Sequence, residues 1–526
     1  MIRVVIADEI AEEGVVYLRA RPNLEVLMAV GLDAQALAAA LSDSQALIVR
    51  SATQVTAELL AAAPRLRVIG RAGIGVDNVD VEAATERGIV VLNTPDANAT
   101  TTAELTVAHV LSLSRHLPEA DRSVRAGEWK RTQLLGTEVN GKCIGLIGFG
   151  TIGRIVARRC LALGMRVLAF DPLVTAEVMQ GEGVEPADLG LLLGTADYIS
   201  LHCPLNDRTR YLIDAARIDM MKPGARLINC ARGGLVDERA LIDALRAQRL
   251  AGAALDVYEQ EPPHGSPLLT LSNVVLTPHL GASTGEAQIA AGVAIARQVA
   301  DLLETGESVN AVNLPRIAPE ILHHLRPYLD LGRRLGRLLA ALTPGPLQGV
   351  EVSLCGRAGE LDPHPVAVEV LVGLLERLLS LPVNRVNAAV LARRQGIALS
   401  ESRVGESGEY VALLRVAGRH AEGATTLAGT LLSERYPRLV RIDDYEIETV
   451  PTGTLLITRH KDQPGVVGSL GTLLAEDHIN ISRMQVGGAG NDEAIAVIAI
   501  SAKLGPERLA QIERIPAIRK VYQVDL

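Results

Sequence analysis

Aromatic residues are scarce: two phenylalanines, one tryptophan and nine tyrosines in 526 residues. Any core must be packed from Leu, Val, Ile and Ala, and base-stacking platforms for single-stranded nucleic acid have few rings to use. Cysteine is sparse too, and Cys143, Cys160, Cys203, Cys230 and Cys355 never fall in a CxxC spacing. That argues against a disulfide framework or a zinc knuckle, so no metal site is expected and a reducing compartment is. No uninterrupted apolar run approaches the roughly 18 residues that span a bilayer, and Met1 to Asp8 lacks a secretory h-region. A cytoplasmic protein without a membrane partner is expected. Positive charge is not in excess either: 52 Lys+Arg against 61 Asp+Glu leave a net charge of −9. The signs are interspersed, with no basic stripe to neutralise a phosphate backbone, so nucleic acid is not an expected partner.

What is present begins with length, since 526 residues at roughly 150 per domain imply three or four domains. The first hundred residues alternate short apolar strands (Val4–Ala7, Leu24–Met28, Ala46–Val49, Leu66–Gly70, Ile89–Leu92) with amphipathic stretches, the pattern of a parallel α/β sheet. A polar break at Asn93–Asn98 precedes a helical pattern over Thr101–Arg115 that is expected to bridge two domains. From Lys142 a second series places strands at Cys143–Ile147, Arg166–Ala169, Tyr198–Leu201, Arg226–Asn229, Gly252–Leu255 and Val274–Leu276, six strands suited to a doubly wound sheet. A helix over Gly285–Glu304 is expected to end at Thr305-Gly306, and Val312–Pro315 reads as a linker. Beyond it, helices at Leu331–Leu342 and Val366–Leu379 mix with amphipathic strands, and from Pro451 onward the spacing is that of a βαββαβ unit.

Gly148-Phe-Gly150-Thr151-Ile152-Gly153 follows an apolar strand and opens an amphipathic helix. Gly148 permits the tight turn, Gly150 lets backbone approach a pyrophosphate, and Gly153 lets helix and strand pack closely. The helix N-terminus offers unpaired N–H groups to that pyrophosphate. Asp171 ends the next strand, 18 residues after Gly153, where an acid can hydrogen-bond the adenine ribose and repel a 2′-phosphate. NAD is therefore expected over NADP.

Three further segments stand where strands of the second series end: Asn229-Cys230-Ala231-Arg232, Leu255-Asp256 through Glu261-Pro-Pro263, and Thr277-Pro-His279-Leu-Gly281-Ala282. Ligands of open α/β sheets bind at the carboxyl ends of strands. The three segments supply a cation for a carboxylate, an acid and an imidazole, and they resemble segments of the NAD-dependent D-2-hydroxyacid dehydrogenase family. In that family a C2 alcohol yields hydride only as its hydroxyl proton leaves, so a base near the working pH is needed, and His279 fits. Glu261 on the other ring nitrogen would fix the tautomer, and Arg232 would clamp a substrate carboxylate bidentately. An isolated His is more often structural, but the conjunction argues for a site. His109, His116, His202, His323 and His324 show no such partners and read as helix, strand-end or surface residues. Arg50-Ser51 and Arg71-Ala-Gly73 sit at strand ends of the first series, more cationic provision than a bare hydroxyacid requires, which suggests a phosphorylated substrate.

In these motifs the sequence resembles the NAD-dependent D-2-hydroxyacid dehydrogenase family over residues 1 to about 313. The resemblance implies Arg232, Glu261 and His279 as the catalytic set. It also implies Asp256 and the Cys230-Ala231 backbone beside the nicotinamide, with Thr151, Ile152, Cys203, Gly281 and Ala282 along the cofactor and Asn98 against the substrate. Trp129-Lys-Arg131 resembles a segment that reaches a neighbouring subunit's cleft. The turn His460-Lys-Asp462-Gln-Pro464-Gly465, with Asn480 opening the next strand, resembles the amino-acid-binding ACT domain, which implies His460, Asp462 and Asn480 as effector contacts.

Residues 314 to 450 resemble the allosteric-substrate-binding domain inserted in long-form members, where Arg333, Arg334 and Arg337 could bind an anion or simply face solvent. The expected fold is α/β: a Rossmann-type doubly wound NAD domain (98–282) with a flavodoxin-like substrate domain (1–97 and 283–313), then an α+β intervening domain (314–450) and a ferredoxin-like ACT domain (451–526). The domain order implies oxidation of 3-phosphoglycerate to 3-phosphooxypyruvate, the first step of serine biosynthesis, by a homodimer or homotetramer with L-serine as effector. The alternatives are another D-2-hydroxyacid dehydrogenase (glyoxylate, hydroxypyruvate or 2-hydroxyglutarate) or a non-catalytic NAD-sensing protein like the C-terminal-binding-protein corepressors.

Overall fold

The computed structural model describes residues 1–315, 319–488 and 492–526. They form two compact units, one of residues 1–54, 70–78 and 92–310, the other of residues 55–69, 79–91 and 311–526. Among the described residues, no helix is long and apolar enough to cross a membrane.

The first sheet comprises β1 (Ile2–Ile6), β2 (Leu24–Met28), β3 (Ala46–Val49), β4 (Val68–Arg71) and β5 (Val90–Leu92), in the order β2-β1-β3-β4-β5. That is the flavodoxin-like winding expected from the alternating pattern. β1 pairs in parallel with both neighbours. Val4 to Ile6 and Ala46 to Val49 have no exposed surface, as a strand covered on both faces requires, and this is why they read as unbroken apolar runs.

The second sheet holds β6 (Cys143–Ile147), β7 (Arg166–Phe170), β8 (Glu185–Pro186), β9 (Tyr198–Leu201), β10 (Ala225–Asn229), β11 (Leu250–Leu255) and β12 (Val274–Leu276), ordered β12-β11-β10-β9-β6-β7-β8. The winding reverses between β6 and β9, so the loops leaving their carboxyl ends diverge and open a crevice there. Seven strands stand where six are expected. The extra one, β8, is a two-residue exposed edge strand containing proline, which carries no apolar run to betray it. The Gly285–Thr305 helix starts with the Thr284 hydroxyl accepting from the Ala287 N–H and stops at Gly306, left-handed at φ +76°, the expected C-cap.

In the second unit the sheet order is β14-β13-β15-β16-β17-β18, from β13 (Leu347–Gly356), β14 (Ala398–Val404), β15 (Ala412–His420), β16 (Gly423–Leu432), β17 (Tyr436–Ile442) and β18 (Tyr445–Thr449). Two helices, Pro319–Leu342 and Pro363–Leu378, pack against each other. The first begins earlier than the expected Leu331. Gly336 and Gly373 allow the close approach, because a Cβ on either would overlap a backbone carbonyl of the opposite helix.

Arg333 and Arg337 do not merely face water. Arg333 pairs with Glu369 at 2.8 Å and Arg337 with Glu376 at 2.9 Å, both on the facing helix, while Arg334 pairs with Asp330 at 2.8 Å. Glu369 is 2% exposed and also meets Arg385, so Arg333 and Arg385 neutralise a buried charge, whereas Arg334 and Arg337 pair with partly exposed acids. The last sheet, of β19 (Thr454–Lys461), β20 (Ile481–Gly488), β21 (Glu493–Ile500) and β22 (Ile518–Asp525), has the order β20-β21-β19-β22 and two helices, the ferredoxin-like arrangement.

Candidate active site

The glycine loop leaves β6 with Gly148 at φ +102°. A Cβ there would lie 2.6 Å from the His202 carbonyl carbon, and one on Gly153 would strike the Gly148 carbonyl. Gly150 has open space beside it and caps the Thr151–Ala162 helix without any side-chain hydrogen bond. The first-turn N–H groups are thus free for a pyrophosphate. Asp171 accepts from the Phe149 N–H at 2.8 Å through one oxygen and from the Leu173 N–H at 2.8 Å through the other. It therefore ties the loop to the end of β7 and keeps lone pairs for a ribose. The residues fit a dinucleotide. Cys203 and Cys230 flank the crevice as un-ionised thiols, pushed up by burial to about 11 and about 12.

Arg232 follows β10. The Asn229 side chain shapes this turn by donating to the Arg232 carbonyl at 2.8 Å and accepting from the Ala231 N–H at 3.0 Å. The Arg232 guanidinium donates to Asp77 at 3.0 Å and to the Ala231 carbonyl at 2.7 Å. It occupies the space a side chain on Gly75 would fill. Glu261, beyond β11, accepts from His279 Nδ1 at 2.7 Å and from the Tyr258 N–H at 3.1 Å. His279 stands at φ +55°, a left-handed conformation uncommon for residues other than glycine, though Asn, Asp and His adopt it more readily than other side chains.

The hydrogen bond to Glu261 raises the His279 imidazole above its ordinary pKa against the opposing effect of burial. Burial pushes the Glu261 carboxyl up, but the hydrogen bond and charge of His279 outweigh it and hold that carboxyl below its usual range. The pair therefore contributes stability between the two titrations, lost as pH falls through the Glu261 value and as pH rises through the His279 value.

One cleft of about 860 Å³ gathers Arg50, Ser51, Arg71, Gly73, Arg232, Glu261, His279 and Ala282. Segments more than 200 residues apart in sequence meet there. Arg71 is driven down to about 10 by burial first, then by the neighbouring charges of Arg232 and Arg50, with Asp77 opposing. Its Nε is buried without a hydrogen-bond partner. Asn98 is 8% exposed, its Oδ1 likewise unpartnered, and it lines a smaller recess with Arg50, Gly73 and Ala282.

Asp256 has no exposed surface. It accepts from Thr277 Oγ1 at 2.5 Å, from the Leu280 N–H at 2.7 Å and from the Gly281 N–H at 2.8 Å. Its carboxylate thus holds the turn that carries His279. Sequence reasoning missed Asp77, whose only signal is its place two residues after Gly75, and it missed Arg210 and Tyr211, which also line the cleft.

His109, read as a helix, strand-end or surface residue, lies in the Ala99–Arg115 helix with its Nε2 3.2 Å from Thr277 Oγ1. His202 does read as a strand-end residue, 3.0 Å from Ser200 Oγ and driven to about 4 by burial. In the last sheet Asp462 and Asn480 are exposed, whereas His460 is 3% exposed and sits 3.3 Å from Thr458 Oγ1. The side chain of His460 is thus buried in its strand, unlike the other two expected effector contacts. Trp129 is 83% exposed.

The doubly wound sheet, its glycine loop and the cleft beside it define a dehydrogenase of the 2-hydroxyacid class, and comparison with known proteins bears this out. Residues 107–281 match the D-isomer specific 2-hydroxyacid dehydrogenase, NAD binding domain. Residues 324–443 match the D-3-phosphoglycerate dehydrogenase intervening domain, and residues 454–517 match the ACT domain. D-3-phosphoglycerate dehydrogenase of Archaeoglobus fulgidus is 40% identical over 528 residues, covering 100% of both chains. That of Synechocystis sp. is 39% identical, covering 100% of this chain and 95% of its own. Among solved structures, D-lactate dehydrogenase from Aquifex aeolicus complexed with NAD and lactic acid is similar with a TM-score of 0.53. It is 28% identical and covers 60% of this chain and 100% of its own. The chain belongs to the D-3-phosphoglycerate dehydrogenase family.

Proposed function

We propose that this chain oxidises 3-phospho-D-glycerate to 3-phosphooxypyruvate with NAD, the first step of serine biosynthesis, and that Arg232, Glu261 and His279 carry the reaction. The observation that supports this most is the 2.7 Å contact between His279 Nδ1 and Glu261. It leaves Nε2 free to face the cleft as the acceptor of the C2 hydroxyl proton. A nicotinamide bound beside these residues would supply the hydride acceptor for C2. Arg232 orients the substrate carboxylate through its planar fork, and Glu261 stabilises the imidazolium that forms. We further propose cytoplasmic homo-oligomers divided into the four domains set out above, with L-serine or a similar amino acid captured at Asp462 and Asn480.

Oxidation needs neutral His279, so its rate rises with pH through the raised His279 value, and reduction falls through the same value. Glu261→Gln removes the charge that raises it. Both limbs of the pH–rate profile are then expected to move to lower pH, read from kcat/KM against pH in each direction. An unmoved profile would remove Glu261 from this role.

The phosphate reading rests on the crowding of Arg50, Arg71 and Arg232 in one cleft and on the unpartnered Arg71 Nε. A dianion there offsets both the burial that chiefly depresses Arg71 and the repulsion from Arg232 and Arg50 that adds to it. A hydrogen bond to a charged group is worth about 1.5–3 kcal/mol. Arg71→Ala is accordingly expected to raise KM for 3-phosphoglycerate roughly ten- to a hundredfold while sparing activity on unphosphorylated glycerate. Equal losses on both substrates would refute the phosphate contact.

A further inference from the structure

His109 is 2% exposed on the Ala99–Arg115 helix, and the mechanism above makes no use of it. Its Nε2 lies 3.2 Å from Thr277 Oγ1, which in turn lies 2.5 Å from Asp256 Oδ1. Thr277 gives its single hydroxyl proton to Asp256, whose two oxygens also accept backbone N–H groups, so the hydroxyl oxygen must accept from His109. The proton of His109 therefore sits on Nε2. Burial holds this imidazole below its ordinary pKa, the charge of Asp256 opposing, which keeps it a neutral donor. The same helix grips the same loop twice more. Thr102 Oγ1 donates to the Gly281 carbonyl at 2.8 Å, and the Thr101 and Thr284 hydroxyls are 3.2 Å apart. Between these holds, Asp256 takes the N–H groups of Leu280 and Gly281. The residue suspended in the span is His279, in its left-handed conformation.

We propose that His109 is a positioning residue for His279: the hydrogen bond it gives Thr277 fixes the Asp256 carboxylate that sets the turn and aims the His279 ring. The proposal rests on His279 being the acid–base group. The polarity of the chain is what matters, since an apolar residue at 109 leaves the Thr277 oxygen a buried acceptor without a donor and frees Asp256 to shift. A displacement well under 1 Å at the reacting group is enough to slow proton transfer.

The test compares His109→Leu with His109→Gln, whose amide N–H reaches a similar place, and pairs both with Thr277→Val and Thr277→Ser in the full-length enzyme. His109→Leu is expected to lower kcat about tenfold, with KM and NADH affinity within twofold of the parent, and His109→Gln to restore most of the loss. Thr277→Val and Thr277→Ser should repeat that contrast if the leucine variant fails to fold. In a His279→Asn background, where the group being aimed is gone, His109→Leu should change the residual rate less than twofold. A kcat for His109→Leu equal to the parent's, no rescue by glutamine or serine, or the same tenfold loss in the His279→Asn background would overturn the proposal. If His279→Asn itself turns over like the parent, it is the acid–base assignment that fails.

Discussion

Replacing His279 by asparagine is expected to lower turnover by roughly 10²–10⁴-fold, the range general acid–base catalysis supplies, while NADH binds as before. Asparagine is the better probe than alanine for a reason of backbone geometry. Residue 279 stands at φ +55°, which asparagine tolerates and alanine resists, so the asparagine variant separates loss of the imidazole from strain in the turn. Glu261 then loses its partner at Oε2 but keeps the Tyr258 N–H on its other oxygen. With 38% of its side chain exposed, it can take water in exchange, so no large loss of folding stability follows. The measurement is single-turnover NADH absorbance together with NADH fluorescence titration. Parent-like turnover with a parent-like pH profile would take proton transfer away from residue 279.

Arg232→Ala is the second large expected effect. Two charge-assisted hydrogen bonds to a carboxylate are worth about 3–5 kcal/mol together. Their loss should lower kcat/KM roughly 10²–10³-fold, appearing in KM and kcat both, because the fork holds ground state and transition state alike. Arg232→Lys keeps the charge without the planar fork and should recover only part of the loss. Asp77, released from its 3.0 Å pairing, has 70% of its side chain exposed. It stays solvated, and the variant should fold. A drop in NADH affinity equal to the drop in kcat/KM would instead place Arg232 on the cofactor.

Much of this protein could be read from one strand of letters because its periodicities are strong. Strands covered on both faces show as runs such as Ala46–Val49, and the glycine spacing at 148, 150 and 153 admits few other uses. The two-residue strand at Glu185–Pro186 could not be read, since it buries nothing and breaks a strand rule. The start of the Pro319–Leu342 helix was equally hidden, because Pro327 interrupts the pattern a helix would leave.

Within the cleft the residue types with distinctive chemistry, Arg232, Glu261 and His279, were visible. Their supports were not. Asp77 and His109 look like any surface acid and any helix histidine until the fold sets one against a guanidinium and the other against the Thr277 hydroxyl. Local sequence thus decides what is governed by neighbours along the chain: where hydrophobic surface must be hidden, where the backbone must turn sharply, and which side chains can accept or give a proton. It has no say over partners 155 or 168 residues away. Whether a buried imidazole is idle or aims another depends on distances of a few ångströms, which exist only once the sheet has wound and the helix after residue 98 has docked along the turn at 277 to 284.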